Sequence, residues 1–588
     1  MVLSPLDLAI MAAFFVATLA IGLYAARQSG GSFDSFFLGG RTLPWWALGI
    51  SMVATTFSTD TPNLVTDLVR SGGVAANWSW WAFLLMGALN VFIYARLWRR
   101  SGVKTDVAFY ELRYSGAMAR FLRGFRAVYL GVVFNILVMA MVTLAAIKIG
   151  AVMFGWSPMQ TVIIAAGVTT VYAALGGLRG VVLTDLLQFA FAMIGSIGAA
   201  VYVLSLPEIG GLQGLVSHPN VEGRLHFLPT PGTLGMEFWV PMVLMPLAVQ
   251  WWASYYPASE PGGGGYIVQR TLSARNQKEA VLAGLVFNIA HYALRPWPWI
   301  LVALASLVVY PELADLAAAF PQVEASKLRH DLAYSAMLTR LPAGLLGIVV
   351  TSLSAAYMST MSTQVNWGAS VLVNDVYLRF VKPEASEAEQ VWLGRMATVV
   401  LMVGACAIAL LLENAKQAFD LLLLVGAGTG LIFAVRWIWW RVNALAEIVA
   451  MIASLSIAIL LTAMDGFGLE GWEQMLLGVT ITTIVWVLAC LFGPETDEAT
   501  LQSFYARVRP GGPGWESVAR RAPKRYDQPD LLQGLGAAID AIIGIYATLF
   551  ATGFALYGAF DAMAVWLAIA ALALWDGWRR FGRLQLNH

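Results

Sequence analysis

Charged side chains are scarce in this chain: 36 Lys and Arg with 35 Asp and Glu make 12% of 588 residues, against about 25% in an ordinary soluble domain. A water-soluble surface cannot be built from so few. Surplus positive charge is missing as well, because the net charge is +1 and phosphate binding needs clustered Lys and Arg, so a nucleic-acid partner is excluded. The two cysteines, Cys406 and Cys490, lie inside apolar runs and imply neither a disulfide framework nor a cysteine metal site. No Walker loop, dinucleotide fingerprint or HExxH is present, and no nucleophile–base pair or metal-ligand cluster stands out, so the chain does not read as an enzyme. What abounds is apolar: 59% of residues are hydrophobic and the mean hydropathy is +0.70. That exceeds what one globular core can bury, so part of it must face lipid tails.

A spanning helix needs about 20 mainly apolar residues, and fifteen such stretches occur, near 5–26, 43–68, 74–98, 125–154, 158–176, 180–206, 236–258, 278–309, 342–372, 390–412, 417–440, 443–464, 473–492, 533–559 and 561–580. The first carries Arg27 behind it and no basic residue before it, the reverse of a cleavable signal peptide. It is retained, with its N-terminus outside. Fifteen spans from that start put 28 of the 36 Lys and Arg on the inner side, as the positive-inside rule requires. The expectation is a multi-pass protein of the cell (plasma or inner) membrane with a cytoplasmic C-terminus. Residues 493–532, with ETDEAT, RVRPGGPGW and RRAPKR, read as an irregular cytoplasmic linker ahead of a terminal helix pair, either solvated near the inner leaflet or a regulatory site. Beyond membrane lipids, no obligatory protein partner is evident.

Three spans break the rules of a lipid-facing helix, since hydrocarbon tolerates no unsatisfied backbone or stray polar side chain. The second, LGISMVATTFSTDTPNLV, sets Thr55, Thr56, Ser58, Thr59, Asp60 and Thr61 near the midplane with Pro62 behind them. Proline removes a helical hydrogen bond and frees carbonyls one turn earlier. The seventh carries Pro241, Pro246 and Pro257 and closes in Gly262 to Gly265. Two interrupted helices five spans apart match inverted five-helix repeats framing a midplane site. The ninth contains SLSAAYMSTMSTQVNWGAS, in which Ala356, Ser359 and Thr360 share one face and Ser362 and Thr363 the adjacent one. Carbonyls and hydroxyls together can replace the water of a monovalent cation, which suits sodium; the alternative is that these hydroxyls bond back to their own helices.

The strings LPWWALGISMVATTFS (43–58), YAALGGLRGVVLTDLLQ (172–188), YIVQRTLSARN (266–276) and LSAAYMST (353–360) together resemble the sodium:solute symporter family. The resemblance implies an all-α integral membrane protein with a LeuT-like five-plus-five inverted-repeat fold. An extra helix (1–41) would precede repeats at 42–206 and 236–440, followed by two helices (441–492), the linker and the terminal pair (533–588). It also implies a main sodium site built from the carbonyls of Ala54, Phe57 and Ala356 and the hydroxyls of Ser359 and Thr360. A second sodium site, present in some members, would join Asp185 to Ser359, Ser362 and Thr363; otherwise Asp185 pairs with Arg179. One or two sodium ions are therefore expected.

The substrate positions depart from the sugar branch of the family, because its glutamine, glutamate and lysine positions fall on Thr61, Trp80 and Tyr292. Tyr256 resembles the inner gate tyrosine, although the stretch after it adds Glu260 and four glycines. Arg295 lies deep in the eighth span with His291 one turn before it; it meets either a carboxylate-bearing solute or an internal counter-ion, Asp60 or Asp67. Trp80 and Trp252 are candidates for an aromatic wall. The function these features suggest is sodium-coupled symport of a small polar organic solute, a sugar or polyol or a carboxylate-bearing molecule, moved inward by alternating access. A non-transporting sensor on the same fold, or a proton-coupled permease, is the alternative.

Overall fold

The computed structural model describes residues 3–29, 31–229, 236–253, 260–321, 328–412, 426, 428–524 and 531–584. Among them the architecture is all helical, with the bridge between Leu43 and Ala274 as the sole β pairing. Eleven helices are long and apolar enough to cross a membrane. The difference from fifteen has local causes. The 43–68 run is two twelve-residue helices, α2 (Trp45–Thr56) and α3 (Thr61–Gly72). The 158–176 and 180–206 runs are one continuous segment, the helix in the 236–258 run stops at Ala248, and much of 417–440 lies outside the described residues.

Before the break stands α1 (Pro5–Ser29), and after it α4 (Val74–Ser101), α5 (Gly116–Ala151) and α6 (Pro158–Leu204). Segment α6 starts on a Ser157 capping box and bends at Gly177, whose φ of 54° and ψ of −164° no helix interior adopts. A side chain there would meet the Phe36 carbonyl at 2.5 Å, so the bend and the close approach both need glycine. The proline-bearing run from Met236 ends at Ala248, where Val249 turns to φ −135°; a 3-10 turn, Gln250–Trp252, follows, and the next described α-helix is α7 (Gly265–Ser273). Then follow α8 (Gln277–Val309), α9 (Leu345–Val381), α10 (Glu387–Leu411), α11 (Ala444–Ala463) and α12 (Gly471–Phe492). Helix α9 is buried along nearly its whole length from Leu346 to Val371, against α6, α5 and α10. It is the axle of the molecule, which is why it can carry so many hydroxyls.

The linker expected to be irregular folds. Helices α13 (Glu498–Val508) and α14 (Glu516–Arg521) bury Leu501, Phe504, Tyr505, Val508 and Val518, an i, i+3, i+4, i+7 stripe within α13 that a reading of its charge overlooks. Trp515, fully buried, donates from Nε1 to the Trp437 carbonyl at 2.9 Å and stacks on Phe504 with centroids 5.4 Å apart. Arg113, also fully buried, donates to the carbonyls of Arg436, Trp439 and Trp440 at 3.0–3.1 Å and lies 4.9 Å from the Trp515 ring. The chain ends in the helix pair α15 (Leu531–Leu556) and α16 (Phe560–Arg583).

Trp515→Ala should cost roughly 3–5 kcal/mol, the usual penalty for removing a buried tryptophan. Limited proteolysis should then cut within 498–521 well before the unmodified chain is cut; unchanged cleavage would mean the segment is held some other way.

Candidate functional site

A helix end leaves carbonyls without intrahelical donors, and inside a membrane these need partners from elsewhere. Helix α2 ends so because Phe57 leaves helical geometry (φ −87°, ψ 85°), while Pro62 occupies the first turn of α3, where its missing N–H costs nothing. The carbonyls at the break find three kinds of donor. The Phe57 amide turns back to Val53 and Ala54 at 3.0 and 3.1 Å. Arg295 Nη1 donates to the Val53 carbonyl at 3.2 Å and to Thr56 Oγ1 at 3.0 Å. Thr360 Oγ1 on α9 donates to the Thr55 carbonyl at 2.7 Å, with the Ala356 carbonyl at 3.1 Å.

The Ala356–Ser359–Thr360 face of α9 therefore lies directly against the end of α2 that carries Ala54 and Phe57. Carbonyl and hydroxyl oxygens with no fixed charge on them meet there, the donor set that a desolvated monovalent cation requires. On this same face the Ser359 Oγ donates to Asp185 Oδ1 at 2.6 Å.

Asp185 is fully buried and fully engaged. Its second oxygen accepts from Ser51 Oγ at 2.5 Å and faces Arg270 Nη2 at 3.6 Å, both side chains having no exposure. Arg270 Nη2 also donates to Thr363 Oγ1 at 2.7 Å, and Thr363 lies 3.0 Å from Thr55 Oγ1. Ser362 bonds back to the Ser359 carbonyl at 3.1 Å. The partner of Asp185 is thus Arg270 of α7 and not Arg179, and this one knot joins α2, α6, α7 and α9. Arg270 is one of the 28 Lys and Arg that the span count assigns to the inner side. The signal that it is buried was there, since the residues around it, YIVQRTLS, are uncharged.

The substrate candidates divide into a cluster and a remainder. Within α8, Ile289–Leu294 is a π-helical turn, which rotates His291 and Tyr292 onto Trp80: centroids are 5.7 and 5.9 Å away, the Tyr292 ring stacked. His291 Nδ1 lies 3.0 Å from Thr56 Oγ1, next to the Arg295 contact. Arg295 itself, 1% exposed, rests its guanidinium 5.2 Å from the Trp299 ring and 5.9 Å from Phe57. Trp80, His291, Tyr292 and Arg295 thus gather beside the break. Asp60 and Thr61 stay on the break itself, with Ser58 Oγ bonded to the Asp60 carboxylate and Thr61 Oγ1 accepting from the Ser58 amide at 3.4 Å. Trp252 meets Trp251 edge to face, centroids 5.1 Å apart, beyond the Val249 kink. Tyr256 lies outside the described residues.

A family model described as the sodium:solute symporter family matches residues 36–454. A sodium/glucose cotransporter of Vibrio parahaemolyticus is 26% identical over 516 residues, 84% of this chain and 92% of that one. Sodium/glucose cotransporter 4 of Danio rerio is 25% identical over 481 residues, 75% and 69% of the two chains. A sodium/myo-inositol cotransporter of Bos taurus is 26% identical over 432 residues, 68% and 58%. Among solved structures, an outward-open, substrate-bound sodium-coupled sialic acid symporter superposes with a TM-score of 0.69 at 18% identity, over 84% of this chain and 99% of that one. The fold is accordingly LeuT-like, as the broken helices foretold.

Breaking a buried ion pair by removing one partner costs about 3–5 kcal/mol, because the other charge is left uncompensated. Asp185→Asn and Arg270→Gln should each lower the melting temperature, and the double variant should lose clearly less than their sum. Strict additivity in that cycle would mean that the two side chains do not interact.

Proposed function

The chain belongs to the sodium:solute symporter family, and from that premise we propose that it is an inward carrier in which sodium and a small polar organic solute of the sugar or polyol class cross the membrane together by alternating access. The observation that carries the reading is the meeting of α9 with the interrupted helix, Thr360 Oγ1 on the Thr55 carbonyl. Sodium enters this junction as co-substrate. The carbonyls of Ala54, Phe57 and Ala356 with the hydroxyls of Ser359 and Thr360 supply its ligands, and its charge draws α2 and α9 together. Closing that seam brings Trp80, His291 and Tyr292 around the solute; parting it on the inner side releases both.

The relatives' names support a sugar or polyol, since two of those given above are sodium/glucose cotransporters and one a sodium/myo-inositol cotransporter. A carboxylate-bearing solute would have to draw Arg295 away from the Val53 carbonyl and Thr56 hydroxyl that it already serves. The reading takes one sodium per cycle. Asp185 and Thr363, the core of the expected second site, already hold the tethered cation of Arg270. The interrupted helices head repeats 42–206 and 236–440, with the N-terminus outside and the C-terminus in the cytoplasm. One sodium moving inward releases roughly 2.3 kcal/mol per 100 mV. A tenfold sodium ratio adds about 1.4 kcal/mol, so one ion sustains about a 500-fold solute gradient.

Uptake of D-glucose or myo-inositol into proteoliposomes should require an inward sodium gradient and show a Hill coefficient for sodium near one. Thr360→Val should raise the half-saturating sodium concentration about tenfold or more, the effect of losing one ligand in a dry site. Uptake that is indifferent to sodium, or driven by a proton gradient instead, would overturn the reading. A coefficient near two would restore the second ion.

A further inference from the structure

Along α9, Gln364 and Trp367 follow Thr360 at i+4 and i+7 and so continue the same face. They lead out of the sodium junction into a cavity closed by α5, the Asp106–Tyr110 stretch between α4 and α5, the loop before α7 and the stretch around Phe433. The glycine-rich loop that lengthens this part of the chain forms one wall and is firmly held. Gly262 and Gly263 take φ of 69° and 81°, the Gly262 carbonyl accepts from Trp98 Nε1 at 2.6 Å, and the Gly265 amide donates to Asp106 Oδ2 at 2.8 Å. Trp367 Nε1 donates to the other Asp106 oxygen at 3.1 Å. Glu260, at the head of this loop, lines the cavity too.

Asn135, Glu260, Arg126 and Arg436, all lining this cavity, hold atoms with no hydrogen-bond partner among the described residues, although the Arg436 guanidinium is otherwise engaged by Glu447 and Tyr110. Asn135, 2% exposed, commits its Nδ2 to the Gly131 and Gln364 carbonyls, which fixes the amide so that Oδ1 is a free acceptor. Glu260 Oε2 is a second free acceptor. Arg126, 6% exposed, lies 4.2 Å from the Phe433 ring and offers Nε as a free donor. A buried group that stays unsatisfied pays its full desolvation cost. A cation would use the two acceptors but would be repelled by Arg126; an anion would use Arg126 but would bring no hydrogen to the Asn135 acceptor. A neutral molecule whose hydroxyls donate to Glu260 and Asn135 and accept from Arg126, with a C–H face on Trp367, engages these three groups together.

We infer that this cavity is a second, inner station for the transported solute, built for a neutral polyhydroxylated molecule and separate from the cluster around Trp80 and His291. The inference rests on the symport reading for the solute's identity and for the direction of travel. The solute leaves the sodium junction along one face of α9 and pauses here, held by Glu260, Asn135 and Arg126, before the inner end opens.

The test is equilibrium binding of labelled D-glucose, myo-inositol, L-proline and pyruvate to the full-length protein in sodium-free detergent solution. Binding of glucose or inositol, weakened tenfold or more by Glu260→Gln and by Asn135→Leu, is the expected result. Glu260→Gln is isosteric and keeps the test decisive should Asn135→Leu fail to fold. Binding unaffected by the folded variants, binding of proline or pyruvate alone, or binding of no probe overturns the station. Variant-sensitive polyol binding in a protein whose uptake ignores sodium would support this site while overturning the symport reading.

Discussion

Backbone carbonyls released inside a membrane have no water to turn to, and the structure is organised around supplying them with partners. The end of α2 is the sharpest case. One carbonyl is taken by a guanidinium from α8 and another by a hydroxyl from α9. Each donor ties a different helix to the same turn, so the interruption that weakens one helix joins three. An ion received at such a turn changes the balance among those ties, which is how a small cation can command the relation of large helices.

A second constraint acts on charge. Three buried arginines are placed on carbonyls, carboxylates and hydroxyls: Arg270 on Asp185 and Thr363, Arg113 on the carbonyls beside Trp439, Arg436 on Glu447 and Tyr110. A charge in this setting is tolerated only with such company, and the company comes from elements distant in sequence. Arg113 and Trp515 show the consequence, since together they bind the 498–521 segment against the ends of the membrane helices. That segment is then packed as part of the helical body.

How much of this was legible depends on how local the cause is. The break in α2 followed from Pro62 and a dense run of hydroxyls, and the shared face of Ala356, Ser359 and Thr360 followed from helical spacing. Both are properties of a few consecutive residues. The pairing of Asp185 with Arg270 was not legible, because two residues 85 positions apart in sequence meet only after α6 and α7 pack, and Arg179 stood nearer along the chain. The folding of residues 498–521 was hidden for a related reason: their charges suggested solvent, and only the surface offered by Trp437 and Arg113 makes their apolar stripe worth burying.

By itself the sequence determined what the solvent is, where helices must form and where two of them must fail, since hydropathy, proline and hydroxyl density act over one or two turns. The tertiary structure alone decided which oxygen faces which cation. It set Arg270 where a second ion was expected and Arg295 on a carbonyl where a solute was a candidate, because a buried charge settles on whichever partner packing brings within reach. No spacing along the chain records that choice.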